Sequence, residues 1–277
     1  MKELEGKTDI VTGAAGNIGR ACATALAESG ARVLVADLDE SGAKESAQKI
    51  VDAGGVGFGA HVDLADDRSI RTLIETALAQ FGRLDILHNN AAATLVARSR
   101  DAGVADMDPE VWDYSLRVNL RAPMLASQAA IPHMKANGGG CIINTVSGAG
   151  NIGDLRHTAY GVSKAGLMQL TRAIATQHGV DGIRCNAVCP GFVSSDDPNR
   201  EGAAQHSQEL LEHNLIGRYG RPTDIANAVV FLASERSAFM TGQIVVVDGG
   251  ASVHGPNYPR ALRRREELAS SAGTEEK

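Results

Sequence analysis

The chain has 277 residues, of which 43% are hydrophobic, 4% aromatic and 22% charged, and its formal net charge at pH 7 is −6. This composition supports a large buried core and excludes a disordered polyelectrolyte; a membrane bundle is excluded because no apolar run approaches the roughly 20 residues that cross a bilayer. An acidic chain without a basic stripe repels a phosphate backbone, so we expect no nucleic-acid partner and no membrane partner.

The hydrophobic pattern alternates between short β-rich runs and longer helical stretches as far as Val247. Because such alternation is typical of βαβ units, it predicts an α/β fold with one doubly wound parallel sheet of seven strands between two layers of helices. No linker divides residues 1–250, so we expect a single domain there. Strands are predicted at residues 8–12, 32–36, 56–62, 84–88, 141–146, 183–188 and 244–247. Helices are predicted at 18–29, 40–53, 67–81, 109–136, 158–178 and 223–233.

Two segments depart from this alternation. Residues 192–218 form a long, mostly polar stretch with a short helical pattern at 205–213, and such excursions from compact folds are commonly lids or binding loops. Residues 251–277 contain two prolines, and three arginines followed at once by two glutamates indicate a solvated helix rather than an anionic docking site. We expect a substrate loop in the first segment, and in the second a docked C-terminal arm that ends in a flexible tail.

The cysteines indicate a reducing compartment. They form no Cys-x-x-Cys pair, and the N-terminal sequence MKELEGKTDIVTG has no long apolar stretch of the kind found in secretory signals. We therefore expect reduced thiols and a cytoplasmic location. Neither His206 nor His213 has the spacing of a zinc site, so we predict no metal. The cysteines are Cys22, Cys141, Cys185 and Cys189.

A glycine-rich segment follows the first strand. It reads TGAAGNIG from Thr12 to Gly19 and runs into a predicted helix, whose free N–H groups and positive dipole end attract a phosphate. The second strand ends in Asp37, about 20 residues on, where a carboxylate can accept hydrogen bonds from both adenosine ribose hydroxyls. That carboxylate would also repel the 2′-phosphate of NADP, so the two features together predict NAD. The alternative is that Asp37 only caps the following helix.

A second group consists of Ser147, Tyr160 and Lys164. Tyr160 and Lys164 stand four residues apart in a helical pattern, so their side chains lie on one face about one turn apart. A nearby ammonium, together with an oxidised nicotinamide, favours the phenolate and lowers the pKa of the tyrosine. Ser147 follows a strand and can hydrogen-bond a substrate oxygen as charge develops on it. The alternative for the Tyr–Lys pair is an ordinary surface helix.

These motifs stand in the order found in the short-chain dehydrogenase/reductase family, which the chain resembles over residues 4–250. The resemblance implies a Rossmann-type fold. It also implies that Tyr160 is the general acid/base, that Ser147 orients the substrate, and that Lys164 holds the nicotinamide ribose and tunes Tyr160. Asn119 would anchor a water molecule that relays protons to solvent.

The same resemblance implies a set of cofactor contacts. Asp63 and Leu64 would lie against the adenine, Asn90 would support the central turn, and the Val193 backbone would meet the carboxamide. The full implied set is Gly13, Gly16, Asn17, Ile18, Gly19, Asp37, Leu38, Asp63, Leu64, Asn90, Ala91, Tyr160, Lys164, Pro190, Gly191, Val193 and Ser195.

Two of these positions depart from the family pattern. Asn17 occupies a position where the short branch of the family has glycine, and asparagine tolerates positive φ better than most residues. We therefore expect the turn to keep its shape. Ser195 stands in the register of a family threonine that contacts the carboxamide.

Taken together, the sequence predicts an oxidoreductase that transfers hydride between NAD and a secondary alcohol or ketone. One alternative is a reductase of 3-oxoacyl groups on a carrier protein, but those enzymes commonly prefer NADPH and need a basic patch. A second alternative is a catalytically silent NAD-binding regulator, which has no use for a complete catalytic set. By resemblance, the helices at 109–136 and 158–178 would pair copies into a homodimer or homotetramer. The substrate's identity, and whether the arm covers its own or a neighbour's pocket, stay open.

Overall fold

The computed structural model describes residues 2–194 and 211–272. Seven strands form one sheet in the order β3-β2-β1-β4-β5-β6-β7, and every neighbouring pair is parallel. The predicted doubly wound sheet is confirmed, with strand bounds within two residues of the prediction. The strands are β1 Thr8–Thr12, β2 Arg32–Asp37, β3 Val56–His61, β4 Ile86–Asn89, β5 Gly140–Thr145, β6 Ile183–Pro190 and β7 Ile244–Val247.

Helices cover both faces of the sheet, because consecutive residues of each strand point to opposite sides. In β1, Val11 packs on the side covered by α1, α2 and α8, whereas Ile10 packs on the side covered by α3, α6 and α7. Over the described residues, no helix combines the length and apolar composition that crossing a bilayer requires. The helices are α1 Asn17–Glu28, α2 Glu40–Asp52, α3 Asp67–Phe81, α4 Thr94–Ser99, α5 Pro109–Leu116, α6 Ala122–Ala136, α7 Thr158–His178, α8 Pro222–Ala233 and α9 Tyr258–Ala272.

The single helix predicted at 109–136 is in fact divided. A π turn at Arg117–Arg121 separates α5 from α6, and the Ala122 N–H donates to the carbonyl of Arg117 five residues back. Pro123 gives the physical reason, since it has no N–H to donate to the carbonyl of Asn119. The π turn therefore sits at Asn119, one of the predicted site residues.

One further element differs from the sequence-based expectation. The short α4 was not predicted, because six residues without a capping side chain give little periodicity. Helix α9 contains the three arginines and two glutamates at which a solvated helix was predicted, and the flexible tail stays a prediction, because residues 273–277 lie outside the described residues. Most of the helical pattern predicted at 205–213 lies outside the described residues.

Candidate active site

The turn between β1 and α1 is shaped by two residues with positive φ. Gly13 has φ +68°, and Asn17 has φ +48°, as expected for an asparagine in place of glycine. Gly16 precedes α1 in an extended conformation, and no side chain caps the helix. The first N–H groups of α1, among them that of Ile18, therefore lack the acceptor that a cap would supply, and such a helix end can hold a phosphate.

The glycines of this turn allow close approach of backbone segments. A Cβ atom on Gly13 would lie 2.8 Å from the Cα of Ala91, and a Cβ on Gly19 would overlap the carbonyl oxygen of Gly13. Only glycine fits at either position. The turn is thus pressed against both its own helix and the segment that follows β4.

Asn90 ties that segment to the turn. Its Nδ2 donates to the carbonyl oxygens of Thr12 at 3.0 Å and Gly13 at 3.3 Å. In return, Thr12 Oγ1 accepts the N–H groups of Asn90 at 3.1 Å and Ala91 at 3.2 Å. The structure therefore brings Gly13, Asn90 and Ala91 together, as the resemblance implied.

Asp37 stands at the end of β2 beside the same turn. One carboxylate oxygen accepts the Ala15 N–H at 2.9 Å, and the other accepts the Asp39 N–H at 3.0 Å. The cap of α2 is Asp39, whose side chain accepts the N–H of Gly42. The alternative that Asp37 caps α2 is therefore wrong. Each Asp37 oxygen keeps a further lone pair, which can accept a hydroxyl hydrogen bond.

The ends of β2 and β3 extend this edge. Asp63 accepts the Ala65 N–H at 2.8 Å through Oδ1, and its own N–H donates to Ser69 Oγ at 2.9 Å. Leu64 packs partly against the core, whereas Leu38 is exposed. Asp63, Leu64 and Leu38 thus line one end of the carboxyl edge of the sheet, on the side of Asp37.

The three predicted catalytic side chains meet at the other end of this edge. The hydroxyl of Ser147 stands close enough to the phenol of Tyr160 to act on its pKa. Lys164 Nζ lies 5.7 Å from the centroid of the Tyr160 ring and donates to the carbonyl of Thr145 at 2.7 Å. Lys164 is only 1% exposed, so the surface-helix alternative is wrong. A phenol and a hydroxyl, both partly buried, are thereby held beside a fully buried ammonium.

Burial sets the electrostatics of this group. It lowers the pKa of Lys164 to about 8 and raises the pKa of Tyr160, while the Ser147 hydroxyl acts to lower that of Tyr160. The lowered tyrosine pKa that we expected from a nearby ammonium is therefore not produced by the chain's own groups. In the chain alone, Tyr160 is a protonated phenol at neutral pH.

The side chain of Asn119 is occupied by structural hydrogen bonds. Its Oδ1 accepts the Ala93 N–H at 2.7 Å, and its Nδ2 donates to Ser163 Oγ at 3.0 Å. Ser163 in turn donates to the carbonyl of Tyr160 at 2.7 Å. The main-chain carbonyl of Asn119, to which Pro123 cannot donate a hydrogen bond, is free to accept one from a water molecule.

The segment after β6 completes the edge. The Gly191 N–H donates to the Val247 carbonyl at 3.0 Å, and a Cβ on Gly191 would lie 2.6 Å from the Cα of Asp248. Pro190 ends β6, and Val193 pairs with Gly220 in an isolated bridge. Ser195 lies outside the described residues.

Asp101 is a residue that sequence reasoning missed. It is buried, and its carboxylate accepts the N–H groups of Ala159 at 3.1 Å and Tyr160 at 2.9 Å, at the start of α7. Thr158 adds a hydrogen bond from its hydroxyl to the Ala102 carbonyl at 2.7 Å. Asp101 therefore fixes the first turn of the helix that carries Tyr160. Nearly 60 residues separate cap and helix, so no local spacing could reveal the pair.

Large apolar side chains are exposed on two segments next to predicted site residues. Leu95 is 80% exposed and lies on α4, which begins directly after the Ala93 that donates to Asn119. Ile152 and Leu155, between Ser147 and Tyr160 in the sequence, are 73% and 91% exposed.

The C-terminal arm contacts the described end of the substrate loop of its own chain. The Ile216 N–H donates to the Gly249 carbonyl at 3.2 Å, and His254 Nε2 lies 2.7 Å from the His213 carbonyl. An ion pair of 2.7 Å between α9 and the loop follows, from Arg263 to Glu212.

The histidines and cysteines near the site have other roles. His157 pairs with Asp154 at 3.1 Å, and His206 lies outside the described residues. Cys185 and Cys189 are buried free thiols, and burial raises the pKa of Cys189 to about 11.

Known proteins resemble this chain over most of its length. A family model described as Enoyl-(Acyl carrier protein) reductase matches residues 13–252. A protein of Bradyrhizobium diazoefficiens named "Probable short-chain type dehydrogenase/reductase" is 42% identical over 276 residues, which cover 98% of this chain and 98% of that protein. A 7alpha-hydroxysteroid dehydrogenase of Bacteroides fragilis is 35% identical over 261 residues, 92% of this chain and 98% of that protein.

A solved structure shares the fold and the chain length. It is a 7 alpha-hydroxysteroid dehydrogenase complexed with NADH and 7-oxo glycochenodeoxycholic acid. The match has a TM-score of 0.84 at 33% identity and covers 90% of this chain and 95% of that one. The similarity therefore extends over nine tenths of this chain.

Proposed function

The chain belongs to the short-chain dehydrogenase/reductase family, and on that premise we propose that it is an NAD-dependent enzyme that interconverts a secondary alcohol and a ketone. The observation that carries the proposal is the placement of the Tyr160 phenol between the Ser147 hydroxyl and the buried ammonium of Lys164. A pure binding protein gains nothing from burying an ammonium next to a phenol, because burial of a charge costs free energy.

In the proposed reaction, the chain's side chains move one proton and orient the substrate. The glycine turn and Asp37 would hold NAD, which when bound would supply hydride transfer from the alcohol carbon and, as NADH, to the ketone carbon. In oxidation the Tyr160 phenolate accepts the hydroxyl proton, and in reduction the phenol donates it to the developing alkoxide. Ser147 hydrogen-bonds the substrate oxygen, and the Lys164 ammonium stabilises the phenolate.

The cofactor assignment rests on the carboxyl edge. The glycine turn and the uncapped start of α1 would hold the pyrophosphate, and Asp37 would accept from the adenosine ribose. We propose that Asp63 and Leu64 face the adenine. Val193 and Ser195 would meet the carboxamide.

We call the exposed side chains of Leu95, Ile152 and Leu155 the apolar rim, and we expect it to favour a substrate with a large apolar body. These side chains would pack against that body. The substrate loop predicted at 192–218 stays a prediction, because residues 195–210 lie outside the described residues. A steroid-sized or terpenoid alcohol fits this rim better than a polyol does. One relative is named as a hydroxysteroid dehydrogenase, which supports a substrate of this size.

The test is an absorbance screen of the purified protein with NAD+ or NADP+ over steroid, cyclic, aliphatic and polyol secondary alcohols. We expect turnover with NAD+, at least about tenfold weaker use of NADP+, and loss of that preference in Asp37→Ala. Equal use of both cofactors by the native chain would overturn the NAD assignment. Turnover confined to NADPH and 3-oxoacyl thioesters would establish the carrier-protein alternative, and NADH binding without turnover of any alcohol would establish the regulator.

We further propose that the chain forms a homodimer or homotetramer in the cytoplasm. An apolar groove along α5, the π turn, α6 and α7 offers a surface for a second copy, and the buried free thiols fit a reducing compartment. Light scattering after size exclusion would contradict this if it gave the monomer mass. The groove is lined by four apolar and three charged residues, namely Leu116, Leu120, Met124, Leu170, Asp113, Arg117 and Arg121.

A further inference from the structure

Strand β4 carries a histidine that the proposed reaction does not use. His88 is fully buried, and its Nε2 lies 2.9 Å from Thr145 Oγ1, whereas its Nδ1 has no partner among the described residues. Burial lowers the pKa of His88 to about 3, so the imidazole is neutral at physiological pH. A neutral imidazole carries a single N–H, and its position decides what the ring can do.

The neighbouring amide fixes the position of that proton. Asn90 Nδ2 donates to the two carbonyls of the cofactor turn, so the other amide atom, facing the Thr145 hydroxyl at 3.2 Å, is the acceptor Oδ1. Thr145 must therefore donate its only hydroxyl proton to Asn90. Its oxygen then accepts from His88, which places the imidazole proton on Nε2.

The result is a directed series of hydrogen bonds. It runs from His88 to the Thr145 hydroxyl, then to the Asn90 amide, and ends at the carbonyls of Thr12 and Gly13. His88 and Thr145 each donate to one acceptor, whereas the Asn90 amide donates to two, and polarised series of this kind reinforce one another in a buried site. Without the N–H of His88, the Thr145 hydroxyl would be free to rotate away, and the Asn90 amide would lose one of the hydrogen bonds that hold it.

The same threonine also touches the catalytic end of the edge. Its carbonyl accepts the Lys164 ammonium at 2.7 Å, through the backbone and not through the hydroxyl. A change at His88 acts on the hydroxyl and leaves the backbone contact in place. The cofactor turn should therefore respond to such a change more strongly than the catalytic group.

We propose that His88 is a positioning residue for the cofactor: through Thr145 it fixes the orientation of the Asn90 amide and thereby the shape of the turn that binds the dinucleotide. The proposal rests on the proposed function, which makes this turn the NAD site. It assigns His88 an effect on dinucleotide affinity, and not on the chemical step.

The experiment measures NADH binding directly, by fluorescence titration without substrate, together with the KM for NAD+ and kcat. His88→Val removes the donor, and His88→Gln retains one, because a glutamine Nε2 reaches about as far as the imidazole Nε2. We expect His88→Val to weaken NADH binding by about three- to tenfold, the effect of one net hydrogen bond, with kcat at saturating NAD+ within about twofold of the native value. His88→Gln should restore binding to within about twofold of the native value.

The next member of the series tests the proposal independently, and decides it should His88→Val fail to fold. Thr145→Val should weaken NADH binding as His88→Val does, and Thr145→Ser should not. The His88→Val/Thr145→Val double variant should bind no more weakly than either single variant. Ser127→Ala, which removes a buried hydroxyl without a partner among the described residues, is the matched control and should bind normally.

The outcomes separate this proposal from the one on which it rests. If the native chain binds no NADH, the NAD site itself is wrong. If the native chain binds NADH and the valine variants bind equally well, the role of His88 is wrong and the enzyme proposal stands. A double variant whose loss equals the product of the single losses, or a fall in kcat with unchanged affinity, would also overturn the role of His88.

Discussion

Two sets of buried polar side chains, near opposite ends of the parallel sheet, differ in their hydrogen bonding. At the carboxyl end, Asn90, Thr145 and Lys164 are each hydrogen-bonded to groups that shape the site. Toward the amino end, Asp9 on β1 is fully buried, and neither of its carboxylate oxygens has a partner in the described part of the chain, although the neighbouring Asp85 accepts from Thr8 and Arg83. Burial is therefore functional for the first set and costly for Asp9.

The surroundings of Asp9 make this contrast sharper. Burial raises its pKa well above the ordinary value of an aspartate, and the nearby Asp85 carboxylate adds to the effect. Two buried thiols lie close by, and their pKa values are raised mainly by burial, with a contribution from Asp9. Asp9 is thus held as a neutral acid among weak hydrogen-bonding groups, and nothing in the structure gives it a task. The thiols belong to Cys22 and Cys141.

The largest expected effect is that of Tyr160→Phe, which tests whether the carboxyl end of the sheet is the catalytic site. We expect a loss of about 10²- to 10⁴-fold in kcat, the usual contribution of a positioned acid or base, with NADH affinity and melting temperature nearly unchanged. Tyr114→Phe, at a partly exposed tyrosine on α5, is the matched control. Turnover of Tyr160→Phe within a few-fold of the native rate would remove the phenol from the reaction.

The pH dependence of turnover tests the two titrating groups at the carboxyl end of the sheet, Tyr160 and Lys164. Because the pKa of Tyr160 is raised, the phenolate needed for alcohol oxidation forms only at high pH, so the oxidation rate should climb by up to about tenfold per pH unit. The rise should flatten once Lys164, whose pKa is about 8, loses the charge that supports the phenolate. Ketone reduction uses the protonated phenol and should not rise. Initial rates in both directions from about pH 6 to about pH 10 measure this. A pH-independent oxidation rate would contradict it.

A smaller effect is expected at Asp101, which acts on the carboxyl end through the backbone of α7. Asp101→Ala leaves the N–H groups of Ala159 and Tyr160 buried without an acceptor, a loss of about 1–3 kcal/mol. We expect a lower melting temperature and a kcat reduced by about tenfold, with NADH affinity retained.

Asp101→Asn keeps one acceptor oxygen and should fall between the native chain and the alanine variant. Asp106→Ala, at an exposed acid of the same loop, serves as the control. A kcat of Asp101→Ala equal to the native value would show that the first turn of α7 holds Tyr160 without this carboxylate.

Some of the residues in these tests could be predicted from the sequence, and others could not. The alternation of strands and helices predicted the sheet, and the spacing of Tyr160 and Lys164 predicted their shared face, because both signals are local. The interruption at the π turn could be found only through Pro123, whose missing N–H removes one helical hydrogen bond. Asp101 lies far along the chain from the helix it caps, and the partner of His88 lies on the next strand. Contacts of this kind depend on tertiary packing and have no local periodicity.

The smallest expected effect is a change in the free energy of unfolding caused by Asp9, near the amino end of the sheet. The folded chain keeps a proton on Asp9 at pH values where the unfolded chain, with a pKa near 3.8, has lost it. The free energy of unfolding should therefore fall as the pH rises above about 4, until the pH passes the folded-state pKa. Asp9→Val, with a β-branched side chain suited to a strand, removes this slope together with the unpaired carboxyl group, and should stabilise the chain by about 1–3 kcal/mol at neutral pH.

Denaturant unfolding at several pH values, with Asp9→Asn as the second variant, separates charge from polarity. Both variants should lose the contribution of Asp9 to the pH slope, but only valine should raise stability by the full amount, because an asparagine in that place is still an unpaired polar group. Neither variant should change kcat or NADH affinity. If Asp9→Val instead destabilised the chain or lowered kcat, Asp9 would have a partner or a task, and the two ends of the sheet would obey the same rule.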